Sequence, residues 1–343
     1  MLENIAAGMG MVFQWDNVLA SLFGVITGIV LGSIPGLSDI TAICLLLPFT
    51  FHLEPIAAIA MLMGLSKGAN FGGSIPAILF NMPGTPQAMV TAFDGYPLTK
   101  QGKSGKALKM ALYSSTIADA SSDLVLFFLA APVAMVALLI GPPEYTMIIL
   151  FSLVIISVVG SEKITKGMLA MGFGLLLAVV GLDPIRGVPR FTFGFGELNS
   201  GFGIVPVALG LLVVSEILEQ FGQMEVKVRE KFSKRSRKDY SSQSQKASDP
   251  KNHRVSLAEF KRCLSPIFGG AGIGSMIGTI PGIGTTIAAY LNYTRVKKAS
   301  KHPELFGKGA LEGVAAAEAG NNGVVGPNLI PLITLGIPGN TAA

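Results

Sequence analysis

Residues Gly32–Ala42 read GSIPGLSDITA, and residues Gly278–Ala288, near the other end of the chain, read GTIPGIGTTIA. Glycine, proline and alanine positions recur at this spacing of 246 residues: Gly24, Gly28, Gly32, Pro35, Gly36 and Ala42 match Gly270, Gly274, Gly278, Pro281, Gly282 and Ala288. A second set recurs at 255 residues: Ile75-Pro76 and Pro83-Gly84 match Ile330-Pro331 and Pro338-Gly339. The chain is therefore predicted to contain two copies of one structural unit.

Each Pro-Gly pair interrupts an apolar segment. Proline lacks an amide hydrogen and clashes with the preceding turn, while glycine can adopt a positive φ, so a helix must stop there. Inside a bilayer, freed backbone groups are tolerated only where protein or a water-filled cavity satisfies them. A broken helix repeated in two halves therefore predicts a solute site near the middle of a membrane.

The composition is that of a polytopic membrane protein. Half of the 343 residues are apolar, 14% are charged, and the mean hydropathy is +0.57, whereas soluble domains carry roughly 25% charged residues. We predict an all-α fold of transmembrane helices with two repeats and broken or re-entrant helices. Apolar segments are predicted at 18–34, 40–51, 55–65, 124–140, 145–159, 167–182, 203–218 and 266–292.

The predicted organisation is a first transmembrane repeat at 1–219, a basic cytoplasmic linker at 220–262, and the start of a second repeat at 263–343. Residues 227–262 hold 12 of the 26 lysines and arginines, and such an excess marks the cytoplasm. The glycine- and proline-rich run 64–89 is predicted to contain no continuous spanning helix, and 94–110 to be a cytoplasmic loop that enters a helix. The amino terminus lacks a cleavable signal pattern, and we expect the chain to be a fragment.

Several polar residues have two interpretations each. Ser38 is either a helix cap or a site residue, and Asn70, Asn81 and Thr85 either bind a solute or satisfy loose backbone groups. Asp119 and Asp123 either pair with loop lysines or line a cavity. Asp39 favours a functional interpretation, because an ionisable residue at membrane depth is expensive. Glu312 and Glu318 are six residues apart and do not share a helical face, which argues against a catalytic pair.

Other classes of function lack the necessary residues. The net charge of +5 lies in loops between apolar runs, and the basic linker has no interleaved aromatic residues, so a nucleic-acid partner is not expected. Gly102-Lys103-Ser104 imitates a phosphate-binding loop, but Pro97 replaces the required glycine. His52, His253 and His302 lie apart and no catalytic motif is present, so an enzyme is not predicted. Cys44 and Cys263 are expected to be inert thiols.

Six stretches in order resemble one family: GSIPGLSDITAICLLLPFTF, GGSIPAILFNMPGTPQA, FDGYPLTKQGKSGKAL, IPGIGTTIAAYLNYTRVKK, HPELFGKGALEGVAAAEAGNNG and LITLGIPGN. The chain resembles the large membrane subunit of the tripartite tricarboxylate transporters, the TctA family. The resemblance implies a multi-pass protein of the bacterial inner membrane that works with a small membrane subunit (TctB-like) and a periplasmic solute-binding protein (TctC-like). It implies uptake of citrate-like tricarboxylates or related carboxylates with Na⁺ or H⁺ and without another cofactor.

In this interpretation, half-helix amino termini after each Pro-Gly pair present free amides to substrate carboxylates. The predicted substrate-binding residues are Pro35, Gly36, Ser38, Thr41, Asn81, Pro83, Gly84, Thr85, Pro281, Gly282, Thr285, Thr286, Asn321, Asn322, Pro338, Gly339 and Asn340. Asp39 stands where the second copy has Thr285 and the family pattern favours a small or hydroxyl residue. A carboxylate there suits the coupling ion better than a carboxylate solute. The alternative is a channel-like or scaffolding membrane subunit without its own ion coupling.

The charge pattern predicts that the two repeats are inverted. Near-neutral stretches flank the first motif, whereas basic residues at 227–262 and 295–308 bracket the second. If lysine and arginine mark the cytoplasm, the two broken hairpins enter the membrane from opposite sides. Their Pro-Gly tips are then expected to meet near the midplane.

Overall fold

The computed structural model describes the protein over residues 8–34, 37, 39–159, 164–183, 186–203, 206–207, 209–214, 218, 253–281 and 284–339. Five predicted site residues lie outside the described residues: Pro35, Gly36, Ser38, Gly282 and Asn340. Most of the predicted linker 220–262 lies outside them as well.

Within these ranges the fold is all-α, as the sequence predicts. The α-helices of the first half are α1 (Trp15–Gly32), α2 (Asp39–Thr50), α3 (Pro55–Phe80), α4 (Ala88–Lys100), α5 (Ser104–Ala137), α6 (Pro142–Val159) and α7 (Ile164–Val179). Those of the second half are α8 (Leu257–Gly278), α9 (Gly284–Ala299), α10 (Leu311–Asn322) and α11 (Leu329–Leu335). A two-stranded antiparallel ribbon follows α7, with β1 (Gly181–Leu182) paired to β2 (Pro189–Arg190). Short helical turns lie at Gly196–Ser200, Leu209–Val214 and Pro303–Leu305.

Two helices of the described chain are long and apolar enough to cross a membrane, at Trp15–Gly32 and Ser104–Val136. Three shorter apolar helices lie at Asp39–Thr50, Pro142–Val154 and Ile164–Val179. The predicted segment 203–218 is described only in part, with a helical turn at Leu209–Val214.

Helices α1 and α3 pack through two rows of glycine. A Cβ atom at Gly64 or Gly72 of α3 would lie 2.5 Å from the carbonyl oxygen of Ser21 or Ile29 on α1, too close for any larger residue. The glycines of α1 meet α3 in the same way: Gly24, Gly28 and Gly32 lie against the carbonyl groups of Met61, Leu65 and Ala69. The prediction that the α1 glycines admit a second helix at close range is confirmed.

The prediction that no continuous helix survives in 64–89 is wrong. Helix α3 continues for 26 residues to Phe80, through the glycines and through Pro76. A helical glycine costs only about 1 kcal/mol relative to alanine, and here the missing side chains let α1 approach. Pro76 lies near the end of the helix, where the loss of one backbone hydrogen bond disturbs little of it. The helix ends only at Phe80, and Asn81 caps it.

The ends of α3 and α11 are built alike. Asn81 after α3 has φ 56° and Gly336 after α11 has φ 66°, both left-handed. The amides of Asn81 and Met82 donate to carbonyl groups of the last turn of α3, and the amides of Gly336 and Ile337 do so in α11. Such reversed bonds are the usual way to satisfy the last carbonyl groups of a helix. The two caps lie 255 positions apart, at the spacing of the second pair of sequence motifs.

The second half differs from the first between these caps. Where α3 is continuous, the matching stretch consists of α10, a series of turns from Gly323 to Asn328, and then α11. Close packing is kept, since a Cβ atom at Gly274 of α8 would lie 2.6 Å from the Gly323 carbonyl carbon. Pro327 lies in the interruption, at the position that Gly72 occupies in α3.

The prediction of a loop at 94–110 is corrected in its first part. Asp94 is fully buried within α4, which runs to Lys100, and only Gln101–Lys103 separate it from α5. Its carboxylate accepts hydrogen bonds from the backbone amides of Gly307, Gly309 and Ala310, each at 2.8 Å. A charged residue that sequence alone assigns to a loop is therefore buried by partners more than 200 residues away.

The two halves share one core. Ile78 of α3, Met110 of α5, Ile267 of α8 and Val314 of α10 are all fully buried in the same apolar cluster. Helix α10 also packs against α4 and α9. The second half is thereby fixed to the centre of the first half.

Helix α8 begins at Leu257, inside the predicted linker, because Ser256 forms a capping box with Glu259. Partial burial opposes ionisation of Glu259. Hydrogen bonds from the Lys106 ammonium group and from the amide and hydroxyl of Ser256 outweigh that effect and lower the pKa of Glu259 to about 2. The resulting Lys106–Glu259 ion pair, at 2.7 Å, joins the start of α5 to the start of α8.

Candidate functional site

The second Pro-Gly motif of the first half lies against the end of α1. The Gly84 amide donates to the Gly73 carbonyl oxygen at 3.0 Å, and the Gly84 Cα lies against the carbonyl oxygen of Gly32. Gly32 is the last residue of α1, three positions before Pro35. The turn Pro83-Gly84 thus lies beside the carboxyl-terminal end of α1, where the chain leaves the helix.

The same relation holds in the second half. Gly339 lies against the side chain and carbonyl group of Asn328, and a Cβ atom at Gly278 would lie 3.1 Å from the Asn328 amide nitrogen. Gly278 is the last residue of α8, three positions before Pro281. Asn328 and Gly339 match Gly73 and Gly84 at the spacing of 255 residues. In each half, the second Pro-Gly motif therefore lies close to the last residue of the helix that precedes the first motif.

A first polar layer joins α2, α3 and α4 beside these turns. The side-chain amide of Gln87 donates to the Asn70 side-chain oxygen at 2.6 Å, and both residues are buried. Gln87 also hydrogen-bonds the carboxyl group of Asp39, the first residue of α2, which is 9% exposed. Thr85 is 1% exposed, and its hydroxyl has no hydrogen-bond partner within the described residues.

A second polar layer lies one helical turn further along α3 and α4. The carboxylate of Glu318 on α10 is fully buried and accepts hydrogen bonds from three hydroxyl groups. Ser74 of α3 and Thr91 of α4 each donate to Oε1 at 2.5 Å, and Ser115 of α5 donates to Oε2 at 2.7 Å. Ser74 follows Asn70 and Thr91 follows Gln87 by four residues, so both layers share one face of each helix.

A third group contains charged residues between α3 and α5. The Lys67 ammonium group lies 2.7 Å from Asp119 Oδ2 and 2.6 Å from Asp123 Oδ2. The second oxygen of Asp119 is buried and has no hydrogen-bond partner among the described residues. The two aspartates thus pair with a helical lysine rather than with a lysine of a loop.

The predicted site residues fall into two groups where the structure describes them. Buried or partly buried positions are Asp39, Thr41, Pro83, Gly84, Thr85, Pro281, Thr285, Asn321, Asn322 and Gly339. The side chains of Asn81, Thr286 and Pro338 are exposed. Both polar atoms of Asn321 are buried without a described partner, whereas the Asn322 amide donates to the Glu318 backbone carbonyl. Asn81 has a structural role as the left-handed cap of α3.

Sequence reasoning missed the residues of the second polar layer. Glu318 was set aside because its spacing from Glu312 excludes a carboxylate pair, and Ser74, Thr91 and Ser115 carry no local signal. One signal was available: Glu318 lies within AAAEAG, and an ionisable residue among small apolar residues at membrane depth usually has a function. Within the described ranges, no three His, Cys, Asp or Glu side chains are arranged to hold a metal ion.

Comparison with known proteins adds the following. The family model described as "Tripartite tricarboxylate transporter TctA family" matches residues 18–343. An Agrobacterium vitis protein named "Uncharacterized 52.8 kDa protein in TAR-I ttuC' 3'region" is 36% identical over 341 residues, which is 98% of this chain and 64% of that protein. A second A. vitis protein, "Uncharacterized protein in TAR-II ttuC' 3'region", is 48% identical over 65 residues, 19% of this chain and 27% of its own length. The chain thus spans less than two thirds of either relative. No solved structure matches it.

Proposed function

Because the chain belongs to the tripartite tricarboxylate transporter TctA family, we propose that it is the large subunit of a secondary transporter for citrate-like tricarboxylates or related carboxylates, driven by Na⁺ or H⁺. The proposed system includes a small membrane subunit and a periplasmic solute-binding protein, and it resides in the bacterial inner membrane. These properties are proposed for the whole protein.

One observation carries the proposal: in each half the second Pro-Gly motif lies close to the end of the helix that precedes the first motif, Gly84 against Gly32 and Gly339 against Asn328, which also contacts Gly278. After each first motif a new helix begins, α2 at Asp39 and α9 at Gly284. The backbone of such a helix does not satisfy its own first amides, which lie at its positive end; at α2 the Asp39 carboxyl group accepts from the amides of Asp39 and Ile40. Two such ends suit a solute that carries several carboxylates.

Hydroxyl and amide side chains of the described region are proposed to hold the same solute. Thr285 lies in the first turn of α9, and Thr41 lies in that of α2. Thr85 and Asn321 are buried with polar atoms that lack a described partner. Because a buried polar group without a partner is costly, such groups are often satisfied by a ligand or by water.

Asp39 is proposed to hold the coupling ion. It lies at the start of α2, among backbone amides and beside Gln87, and the described contacts bring no lysine or arginine to it. A buried carboxylate without a cationic side chain attracts a cation from solution. This location keeps the ion next to the proposed solute site.

The outer surface supports a multi-pass arrangement. Large apolar side chains are exposed along several helices, including Leu138 at 85%, Trp15 at 79%, Leu169 at 74% and Met276 at 73%. Soluble monomers rarely expose contiguous apolar surface on this scale. We propose that lipid covers these side chains and that the two halves are inverted repeats.

Uptake of radiolabelled citrate and other carboxylates into proteoliposomes tests the function, with the full-length protein reconstituted together with its two partners. The Gly84→Ala variant is expected to lose at least about tenfold in uptake, because a methyl group there collides with the Gly32 carbonyl and shifts the turn. Gly174→Ala is the matched control, since nothing lies within 4 Å of its position.

Three outcomes contradict parts of the proposal. If the wild-type system takes up no carboxylate, the substrate class is wrong. Full-rate uptake by the large subunit alone would show that the partners are unnecessary. Uptake that persists after both the Na⁺ and H⁺ gradients are collapsed would favour the channel-like or scaffolding alternative.

A further inference from the structure

Glu318 is held by neutral groups from three helices of the other half of the molecule. Its two carboxylate oxygens accept from Ser74, Thr91 and Ser115 at 2.5, 2.5 and 2.7 Å, on α3, α4 and α5. The side chain is 0% exposed. These hydroxyls supply hydrogen bonds but no compensating charge, and burying an uncompensated carboxylate is strongly unfavourable.

The geometry favours a proton over a metal cation as the missing charge. The hydroxyl oxygens lie in direct hydrogen-bond contact with the carboxylate, which leaves no space between them for a cation with its own coordination shell. A hydroxyl can both donate and accept. The same three side chains can therefore serve the ionised carboxylate as three donors, or the neutral acid with one of them accepting its proton.

Several charged and titratable groups on the neighbouring elements have partners other than Glu318. Three sets form ion pairs: Lys67 of α3 with Asp119 and Asp123 of α5, Lys106 of α5 with Glu259 of α8, and Arg262 of α8 with Glu312 of α10. Two more form hydrogen bonds: Tyr293 of α9 with Asp94 of α4, and Arg295 of α9 with Asn292 of the same helix. Cys263 of α8 is a buried free thiol. The hydrogen bonds and ion pairs described for the Glu318 carboxylate come from the three hydroxyls.

We propose that Glu318, with Ser74, Thr91 and Ser115, forms a proton-binding site at the contact between the two halves of the molecule. This inference rests on the proposed transport function and adds a site to the one at Asp39. Hydrogen bonds to an ionised group are roughly twice as strong as those between neutral groups. Even these stronger bonds do not replace the hydration that the buried charge loses, so uptake of the proton stabilises the contact of α10 with α3, α4 and α5, and loss of the proton weakens it.

A dependence of the contact between the two halves on the protonation of Glu318 would couple proton binding to a conformational change. A ligand shifts a conformational equilibrium only if it binds the two states differently. A proton on Glu318 meets that condition, because the buried contact favours the neutral acid, whereas a state in which water reaches the carboxyl group favours the ionised form. The site thus couples proton binding to movement of one half against the other.

Infrared difference spectroscopy on the full-length protein in lipid tests the site directly. The spectrum is recorded as a function of pH for wild type and for Glu318→Gln. We expect a carbonyl band of a protonated buried carboxylic acid that decreases as the pH rises and is missing in the variant. Identical difference spectra for the two proteins would overturn the proposal, and so would a wild-type band that responds to Na⁺ but not to pH.

A second pair of variants keeps the test decisive if Glu318→Gln does not fold. Ser115→Ala removes one donor from the ionised form, so the band midpoint should move up by about one pH unit. Ser121→Ala is the control on the same helix, because its hydroxyl donates to the Ile117 carbonyl of α5. An unmoved midpoint in Ser115→Ala, or equal shifts in both variants, would overturn the proposal.

The infrared measurement needs no transported solute, so its failure is distinguishable from failure of the proposed function. Exchange of labelled carboxylate across proteoliposomes, measured against pH, then connects the site to transport. The pH dependence expected for the wild type should disappear in Glu318→Gln. If the variant keeps the wild-type pH profile, Glu318 has a structural role only.

Discussion

Asp94 holds the connection between α9 and α10 to the first half of the molecule. Its carboxylate accepts from three backbone amides in residues 307–310 and from the Tyr293 hydroxyl at 2.9 Å. Of these three amides the Ala310 amide is buried, and a buried backbone amide needs an acceptor. One carboxylate thus satisfies donors that no regular secondary structure satisfies.

Replacing Asp94 with alanine is expected to destabilise the folded protein by about 2 kcal/mol or more, because it leaves the buried Ala310 amide without an acceptor and removes the part-buried bonds from Gly307 and Gly309. Thermal unfolding of the purified protein in detergent measures the change. Tyr293→Phe is the control: it removes one hydroxyl and spares the backbone bonds, so a loss of only about 1 kcal/mol is expected. Equal losses in the two variants would show that the amides find other partners.

Asp119, Asp123 and Glu318 show the limit of inference from single residues. The sequence left Asp119 and Asp123 either paired with loop lysines or lining a cavity, and the structure pairs both with Lys67 of α3. Glu312, which the sequence analysis does not pair with Glu318, forms an ion pair with Arg262, and Glu318 accepts from hydroxyl groups. The spacing of the two glutamates gave no indication of the three hydroxyls, because these lie 203 to 244 residues from Glu318 in the chain.

At the scale of elements, glycine spacing fixes how α1 meets α3. Gly28 lies against the Leu65 carbonyl, and Gly68 lies against the Val25 carbonyl. Backbones at this separation leave no space for a side chain on either row. Small residues at four-residue spacing are the usual basis of such close packing between membrane helices.

Replacing Gly28 with leucine should separate α1 from α3 and greatly reduce the yield of folded protein. A side chain there meets backbone atoms, which cannot move aside without displacing a helix. Gly174→Leu, on the open face of α7, should fold with a nearly normal yield. Size-exclusion chromatography of the two variants makes the comparison. A monodisperse Gly28→Leu protein in normal amount would contradict the packing described here.

The stretch of the second half that matches α3 is not one continuous helix. Asn81 and Gly336 form equivalent caps, but the turns from Gly323 to Asn328 interrupt the second half where α3 is continuous. Composition alone predicted the break in α3 that the structure does not show. In α3, Gly64, Gly68 and Gly72 contact α1 and Gly73 contacts Thr85. Local helix propensity does not include such contacts.

At the scale of the whole molecule, the proposed inversion of the repeats makes a prediction about sidedness. Positions 52 and 302 follow α2 and α9 and are exposed, so both accept a label. In a background with serine at Cys44 and Cys263, single cysteines are placed at His52 and His302. A membrane-impermeant thiol reagent should label position 52 in intact cells, and position 302 only after the cells are opened.

The same sidedness at both positions would contradict inversion and place both broken hairpins on one side of the membrane. Labelling of position 302 in intact cells, and of position 52 only after the cells are opened, would agree with inversion but give the protein the opposite orientation in the membrane. That result would show that the basic loops do not mark the cytoplasmic side. Lys100→Cys serves as an internal control, because the lysine-rich turn before α5 is predicted to be cytoplasmic.

The sequence by itself determined the helical class, the positions of the Pro-Gly motifs and the close approach of a helix to the α1 glycines. These follow from composition, spacing and backbone chemistry, which act over a few residues. Only the tertiary structure decided that α3 continues through its glycines, that Asp94 is buried, and that Glu318 meets three hydroxyls. Each of these depends on contacts between distant parts of the chain, and local patterns do not specify which distant residues will meet.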